Sequence, residues 1–427
     1  MTSSRPLRRL FAVLAALSCT MLVQPVPADA HAVSDATWLG AGDRDAGMPA
    51  LAIRAPRKQV NGIKWSDVPK RHWARTAIDY VGATNDWMRD DPPNEDSKYP
   101  FRPDDLETRA LFARSVVRAF ASEEATDPGI TFPDLPTTDP LYQYANIAVR
   151  LGWMTTGPNG NFLPYETVTT RSVHRALVLA VGLGDLANGL DAIHTRNGTT
   201  FSVPQDFGTL LIGMRIGLRY NHSDESLDVV PNSFLSRAEV AWSLYRAATM
   251  PSWMLDELAG YATITLPNLG RQKQQIVQFG IDYVGYPYVY GGEWYEASPA
   301  GYCCGDQPVG GFDCSGATWW VMKAAEAGWD NVPPREYTGW SLPQRSSSDM
   351  ASTGHKVNFK NLRAGDLMFF DGNGDGTVDH VDVYIGGDWA IDSSSSLGGV
   401  TILNVADGWY RDHFVHARRI ISVAPGQ

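Results

Sequence analysis

A cysteine, a histidine and an aspartate near the end of the chain have the residue types of a nucleophilic site. Cys314 opens a predicted helix, where the positive end of the helix dipole and free backbone N–H groups favour the thiolate that attacks carbonyl carbon. His380 begins a predicted strand and could take the thiol proton. Asp392 lies on the next predicted strand, where its carboxylate could orient the imidazole. The three residues together predict attack on an acyl or peptide carbonyl.

The elements that must position these residues follow the pattern of an α+β domain at 271–427. The predicted elements are a helix near 275–285, a turn at 287–292, a helix from Cys314, a turn into a strand at 362–370, and a strand at 380–386. Asp313 is suited to cap the helix that begins at Cys314. The fold must therefore bring the start of that helix against the strand that begins at His380.

Five motifs occur in the order and spacing of a known family. They are Tyr-Val-x-Gly-Gly at 288–292, Phe-Asp-Cys-Ser-Gly at 312–316, Pro334-Arg335, Gly-Asp-Leu-x-Phe-Phe at 365–370 and His-Val-x-Val-Tyr-Ile-Gly at 380–386. By these motifs the segment 272–421 resembles the NlpC/p60 cysteine peptidases, papain-like α+β enzymes that cut peptidoglycan stem peptides. The resemblance implies that Cys314 is the nucleophile, that His380 is its base, and that the chemistry requires no cofactor. Asp392 stands where that family most often has histidine.

The resemblance also implies which residues meet the substrate. They are Tyr288 near the nucleophile, Asp313 beside the free amine of an L-Ala–γ-D-Glu peptide, Ser315 and Arg335. The capping role of Asp313 competes with its amine-binding role. The backbone N–H of Cys314 is the expected oxyanion donor. The bond expected to be cut joins D-γ-glutamate to the diamino acid of a stem peptide.

An insertion separates the first two motifs and is longer than the family's usual link. It spans 293–310 and contains Cys303, Cys304 and several aromatic residues. Two interpretations stay open, a lid that shapes substrate choice and a surface loop. A disulfide between the adjacent cysteines would be strained, and whether they are bridged also stays open.

The run that joins the two predicted strands is rich in Asp, Asn and Gly. Its side chains and one backbone carbonyl have the spacing of an EF-hand-type calcium loop, in the order Asp371, Asn373, Asp375, Thr377 and Asp379. The alternative is a polar hairpin turn. Asp382 occupies the twelfth position of the pattern, but strand alternation places it on the same face as His380, toward the cleft.

A pattern recurs three times before the α+β domain, at 62–122, 129–183 and 195–249. Each copy ends in a helix that opens with Thr/Ser-Arg, and such copies usually stack because none can bury its apolar face alone. The copies resemble S-layer homology repeats, which implies an all-α, three-fold bundle that binds anionic secondary cell-wall polysaccharide. By that resemblance the polymer meets Arg109, Arg171 and Arg237, whose guanidinium groups suit carboxylate or phosphate. The alternative is a bundle whose arginines only cap and pair locally.

The first thirty residues have the three parts of an export signal. Three arginines precede an apolar run, and Ala28-Asp29-Ala30 is a small-x-small cleavage site. The apolar run is too short to span a membrane, and we expect no span elsewhere. Residues 31–61 are a predicted flexible lead-in and 251–270 a predicted connector.

Composition excludes several classes of protein. The chain of 427 residues is 44% hydrophobic, which excludes disorder, and its formal net charge of −11 argues against nucleic acid as a partner. Four cysteines are too few for a disulfide scaffold. The two family resemblances, together with the export signal, imply a secreted peptidoglycan endopeptidase at the cell wall. The alternatives are a catalytically silent wall-binding or S-layer structural protein, and an amidase or acyltransferase on another wall substrate.

Overall fold

The computed structural model describes residues 63–294, 308, 310–327, 342, 344–406 and 408–421. The chain divides into two units, Met1–Pro49 and Ala50–Gln427, and all of the described residues lie in the second. The predicted export signal, the lead-in, Cys303, Cys304 and Arg335 lie outside the described residues. Within the described ranges, no helix is both long and apolar enough to cross a membrane.

The first part of the described chain is helical. Its helices are α1 (Arg75–Ile78, continued by a π-helical turn at Asp79–Thr84), α2 (Arg109–Phe120), α3 (Tyr142–Arg150), α4 (Thr170–Ala180), α5 (Gly184–Leu190), α6 (Phe207–Arg215), α7 (Arg237–Ala248) and α8 (Trp253–Ala259). Two short strands, β1 (His194–Thr195) and β2 (Thr265–Leu266), pair in parallel. In α2 the buried residues include Phe112, Val116 and Val117, which lie on one helix face at helical spacing.

The starts of α2, α4 and α7 form a closed ring. The backbone N–H of each first residue donates to a loop carbonyl of the next repeat, in the pairs Arg109 to Glu166, Thr170 to Ser233 and Arg237 to Asp105. The residues before these helices, Thr108, Thr169 and Ser236, are the equivalent N-caps. Because the third helix bonds back to the first repeat, the three copies close on one another and bury their apolar faces together.

The connecting segment 251–270 is folded along most of its length. Met254, Leu258 and Tyr261 in and after α8 are buried. The Tyr261 ring meets the edge of Trp389 in the α+β part at a centroid distance of 5.0 Å. The segment therefore joins the two parts through a shared apolar core.

The second part of the chain combines helices with a sheet. Its elements are α9 (Arg271–Tyr283), β3 (Glu293–Trp294), β4 (Gly311–Phe312), α10 (Cys314–Ala327), α11 (Ser347–Met350), β5 (His355–Val357), β6 (Asp366–Phe370), β7 (His380–Gly386), β8 (Trp389–Ser394), β9 (Gly399–Asn404), α12 (Gly408–Asp412) and β10 (Phe414–Arg419). A six-stranded antiparallel sheet has the order β5-β10-β6-β7-β8-β9. This helix-and-sheet arrangement is consistent with the papain-like α+β fold.

Close packing of α9 on the sheet places the catalytic elements. A Cβ at Gly280 would lie 2.5 Å from Cγ1 of Ile391 in β8, so only glycine lets the helix approach the strand this closely. Ile276, Val277 and Phe279 of the same helix are buried. Helix α10 packs between α9 and β7, which brings its first residue to the strand that carries His380.

Hydrogen bonds join the helical part directly to the α+β part. Gln278 of α9 and Ser202 bond reciprocally through the Ser202 amide and carbonyl, at 3.0 and 2.6 Å. Arg219 Nη1 donates to the Gly285 carbonyl at 2.6 Å. One apolar cluster extends from the helices into the sheet. The parts before and after 251–270 therefore pack as neighbours within one compact unit.

Candidate active site

Cys314 is the first residue of α10 and is 8% exposed. The Asp313 carboxylate caps the helix, because its Oδ1 accepts hydrogen bonds from the Gly316 amide and from Ser315 Oγ, the latter at 3.0 Å. A Cβ at Gly316 would lie 2.0 Å from the carbonyl oxygen of Gly292, so this turn requires glycine. The thiol is thus fixed at the positive end of a helix.

Arg345 holds the start of α10 in place. Its Nη1 donates to Asp313 Oδ1 at 3.1 Å and to Ser315 Oγ at 2.7 Å, and its Nε donates to Glu293 Oε1 at 3.2 Å. Its Nη2 also donates to the Gly292 carbonyl at 3.0 Å. One half-buried guanidinium is therefore shared by two buried carboxylates behind the nucleophile.

Arg345 contacts two residues of the predicted substrate-binding set. Asp313 and Ser315 are both buried and bonded to Arg345, so their side chains support the helix start, and their role toward a substrate stays a prediction. Arg335 lies outside the described residues. Sequence reasoning missed Arg345, because its contacts to Asp313 and Ser315 join segments about 30 residues apart that no local pattern relates.

Tyr288 is half-buried beside the nucleophile. Its backbone lies next to Phe312, the residue before Asp313, in a parallel bridge. Burial, together with the negative charges of Cys314 and Asp313, raises the pKa of the Tyr288 hydroxyl. The phenol therefore keeps its proton and remains a hydrogen-bond donor next to the thiol, consistent with its predicted position.

His380 lies at the start of β7, between the thiol and two carboxylates. Its Nε2 is 2.8 Å from Asp392 Oδ1 and 2.9 Å from Asp382 Oδ1. Burial lowers the pKa of His380, but the charge of Asp382 and the short contacts with Asp382, Asp392 and Cys314 outweigh burial and raise the pKa well above its ordinary value. Since Nε2 faces the carboxylates, Nδ1 is left for the thiol. The arrangement favours the imidazolium form of His380 next to Cys314.

Asp392 is anchored from its far side. It is 1% exposed in β8, and its Oδ2 accepts a hydrogen bond from Ser394 Oγ at 2.7 Å. The rings of Phe370 and Trp409 lie beside the His380 imidazole, at centroid distances of 5.8 and 6.2 Å. The structure thus brings the three predicted residues Cys314, His380 and Asp392 together in one site.

Asp382 is a further member of the site that sequence reasoning did not assign to it. The register that pairs Val383 with Ile391 places Asp382 opposite Asp392 on the neighbouring strand. Asp382 is fully buried, and burial followed by the charge of Asp392 raises its pKa to about 8. Strand alternation had placed it on the face of His380, and this signal was sufficient to find it.

Comparison with known proteins assigns a family to the part of the chain that contains this site. Residues 285–419 match the model of the NlpC/P60 family. These residues form an NlpC/P60 domain. They include Cys314, His380 and Asp392, and they exclude the three repeats.

Relatives of the NlpC/P60 domain include two proteins of Bacillus subtilis. The chain is 30% identical over 150 residues to gamma-D-glutamyl-L-lysine dipeptidyl-peptidase, covering 35% of this chain and 41% of that protein. It is 29% identical over 148 residues to the bifunctional muramidase/DL-endopeptidase CwlT, covering 34% and 36%. The chain thus spans less than half the length of either relative.

A solved structure of an NlpC/P60 family protein from Bacillus cereus is also similar. It is 26% identical, with coverage of 37% of this chain and 42% of that one, and the TM-score is 0.27.

The loop before β7 in the NlpC/P60 domain is the predicted calcium site. Its carboxylates accept hydrogen bonds from the loop's own amides, in the pairs Asp371 with Gly374 and Gly376, Asp375 with Thr377, and Asp379 with Gly372. Asp382 does not join the loop, because its carboxylate lies at His380. Among the described residues, the acidic and histidine ligand atoms that converge within 4.8 Å are those of His380, Asp382 and Asp392. Calcium binding at the loop stays a prediction.

The three arginines predicted to meet a wall polymer differ in their surroundings. Arg237 is 2% exposed and pairs with Asp90 and Glu107 at 2.6 Å each. It faces the interior, which corrects the expectation that it faces a polymer, because two buried carboxylates neutralise its charge.

Arg109 and Arg171 are half-buried and lie nearer the surface. Arg109 Nε donates to the Phe162 carbonyl at 2.9 Å, which matches the bond from Arg237 Nε to the Phe101 carbonyl at 2.7 Å. Helix α4 begins one residue before Arg171, so Arg171 stands one position further along its helix and donates instead to Asn232 Oδ1 at 3.1 Å. Each arginine reaches from its own repeat into the next.

Proposed function

We propose that the chain is a peptidoglycan hydrolase that cuts an amide bond of stem peptides by thiol catalysis. The observation that carries the proposal is the contact of Cys314, at a helix N-terminus, with His380, whose Nε2 lies 2.8 Å from the buried Asp392. A nucleophile, a base and an orienting carboxylate in this order are the parts that acyl transfer needs. The names of the relatives of the NlpC/P60 domain support a peptidoglycan substrate.

The chemistry follows from the geometry. The Cys314 thiolate attacks the carbonyl carbon while His380 holds the thiol proton as imidazolium. The backbone N–H of Cys314 and the protonated Tyr288 hydroxyl stabilise the oxyanion. The imidazolium then gives its proton to the leaving amine, and an acyl-thioester remains on Cys314. Water, deprotonated by His380, attacks the thioester and releases the acid.

The bond proposed as substrate joins D-γ-glutamate to the diamino acid. Two relatives carry the names gamma-D-glutamyl-L-lysine dipeptidyl-peptidase and DL-endopeptidase, which supports this choice. Because Arg345 occupies the Asp313 carboxylate, a free substrate amine would have to compete with a guanidinium for it. A substrate with a longer, uncleaved peptide is therefore as compatible with the site as one that begins at L-Ala.

We further propose that the chain is exported and that its three repeats hold it at the cell wall by binding a secondary polysaccharide. The predicted export signal and the resemblance to S-layer homology repeats support this location. We assign contact with an anionic polymer to Arg109 and Arg171, which are half-buried, in contrast to the buried Arg237. The shared core would then hold the catalytic cleft at a fixed position relative to the bound polymer.

The test is digestion of purified sacculi with the mature chain and with Cys314→Ala, followed by mass spectrometry of the released fragments. The proposal expects new amino termini at the diamino acid with wild type and none with the variant. Intact sacculi after treatment with folded wild type would contradict it and favour a silent binding protein. Cleavage of another amide, or transfer of the acyl group to an added amine, would identify an amidase or acyltransferase.

A further inference from the structure

We propose that Asp382 and Asp392 act as one proton-sharing pair that positions His380, which makes Asp382 a second positioning residue of the site. The inference deepens the proposed function, on which it rests, because it concerns the charge balance of the same catalytic histidine. It concerns a residue to which the five sequence motifs gave no role.

The first observation is that two carboxylates converge on one ring nitrogen. Asp382 Oδ1 and Asp392 Oδ1 lie 2.9 and 2.8 Å from Nε2 of His380, and the three ligand atoms are within 4.8 Å of one another. Nε2 carries a single hydrogen. Only the contact with Asp392 has hydrogen-bond geometry, and neither oxygen of Asp382 accepts a hydrogen bond from a described residue.

The second observation is that the pair is buried and that, among the described groups whose charges act on Asp382, His380 supplies the positive charge. Both carboxylates are fully buried, and they are cross-strand neighbours, so two negative charges there would repel strongly. Ser394 supplies one hydroxyl to Asp392. The groups around Asp382 are His380 on its own strand, Asp392 on β8, Tyr410 of α12 and Met368 of β6. Of these only His380 brings positive charge.

A shared proton resolves this charge imbalance. Protonated Asp382 donates its O–H to Asp392, and the pair then carries one negative charge opposite the imidazolium. The raised pKa of Asp382 agrees with this state. The single negative charge of the pair keeps His380 oriented and cationic. A second full negative charge would make the imidazolium too weak an acid to protonate the leaving amine, and the neutral carboxyl group avoids this.

The pair also makes each member a substitute for the other. If Asp392 loses its charge, Asp382 no longer faces a neighbouring anion, so it ionises and becomes the partner of Nε2. If Asp382 becomes an amide, its N–H still donates to Asp392. Only the loss of both carboxylates removes the negative charge from the imidazolium.

The experiment compares wild type with Asp382→Asn, Asp392→Asn and the double variant. It measures the pH dependence of Cys314 alkylation by iodoacetamide, followed by mass spectrometry of the Cys314 peptide, and kcat and KM on a stem peptide. Asp388→Asn is the matched control, since it removes an exposed acid from the turn between the same two strands. Alkylation needs no substrate, so it tests the pair even if the proposed reaction is not found.

Each single variant is expected to keep the alkylation rate at pH 5–6 within about threefold of wild type, whereas the double variant loses at least about tenfold. In the double variant kcat falls by about 100-fold or more with KM little changed. A double variant that behaves like Asp392→Asn alone would overturn the proposal. Stoichiometric zinc bound by wild type and lost in Asp382→Asn would also overturn it, because the cluster would then be a metal site.

Discussion

Asp382 and Asp392 face each other across β7 and β8, and each places a carboxylate oxygen within 3 Å of Nε2 of His380. The protonation of this site therefore depends on three coupled groups, and pH should act on both its stability and its chemistry.

The first prediction concerns the pH dependence of stability at Asp382. Burial raises its pKa to about 8 in the folded chain, against about 4 in an unfolded one. Its stabilising contribution is therefore fully present below about pH 4 and is lost as pH rises through about 8. The melting temperature of wild type should fall relative to Asp382→Asn as pH increases from 5 to 8. Calorimetry at matched ionic strength measures this difference, and parallel curves for the two proteins would contradict it.

The second prediction concerns Arg345. Its removal takes away the positive charge that pairs with the buried carboxylates of Asp313 and Glu293, so Arg345→Ala should lower the free energy of unfolding by about 3–5 kcal/mol. Arg345→Lys should recover part of that loss, because an ammonium keeps the charge without the planar fork. Chemical denaturation measures both variants. Arg335→Ala is the comparison. A larger loss of stability in Arg335→Ala than in Arg345→Ala would contradict the assignment of Arg345 as the arginine that supports the start of α10.

The third prediction separates polymer binding from packing among the three arginines. Arg109→Ala combined with Arg171→Ala should reduce pelleting of the full chain with sacculi, while Arg71→Ala, an exposed control on the helical part, should not. Arg237→Ala should instead lower the melting temperature, because Asp90 and Glu107 lose their buried partner. The assay uses the Cys314→Ala background so that the wall stays intact. Undiminished pelleting of the double variant would exclude these arginines as polymer ligands.

The fourth prediction concerns calcium at 371–379. Each loop carboxylate keeps free lone pairs after its amide bonds, so the loop can still offer oxygen ligands to a hard cation. Millimolar calcium should raise the melting temperature and chelator should return it to the starting value. Asp375→Asn should weaken that response, while the exposed Asp388→Asn should not. Identical melting curves with calcium and with chelator would indicate a polar hairpin.

The sequence was informative where local pattern decides position. The motif around Cys314 predicted the helix start, and alternation along the strand predicted that Asp382 lies on the same face as His380, toward the cleft. Arg345 was not predictable in this way, since its contacts to Asp313 and Ser315 depend on how a distant segment folds back. The pairing of Asp382 with Asp392 required the register of two strands, which no local pattern supplies.

In the three repeats, too, the features that depend on contacts between distant segments could not be predicted from the sequence. The three Thr/Ser-Arg signatures predicted the three helices, but not that α4 begins one residue early or that Arg237 is buried. Both depend on how the third copy closes back onto the first, where Asp105 accepts the amide of Arg237. The recurring motif predicted that each copy contains a helix. Packing between the copies decided how exposed the arginine of each helix is.

The central claim is that Cys314 is the nucleophile of an amide-cleaving reaction on peptidoglycan. Its most direct test is mass spectrometry of stem peptides incubated with wild type and quenched early in acid, which should trap an acyl-thioester on the Cys314 peptide. The account predicts a mass increase equal to the acyl fragment, absent in Cys314→Ala, with the free amine released in equal amount. Cleavage that continues undiminished in Cys314→Ala would contradict it.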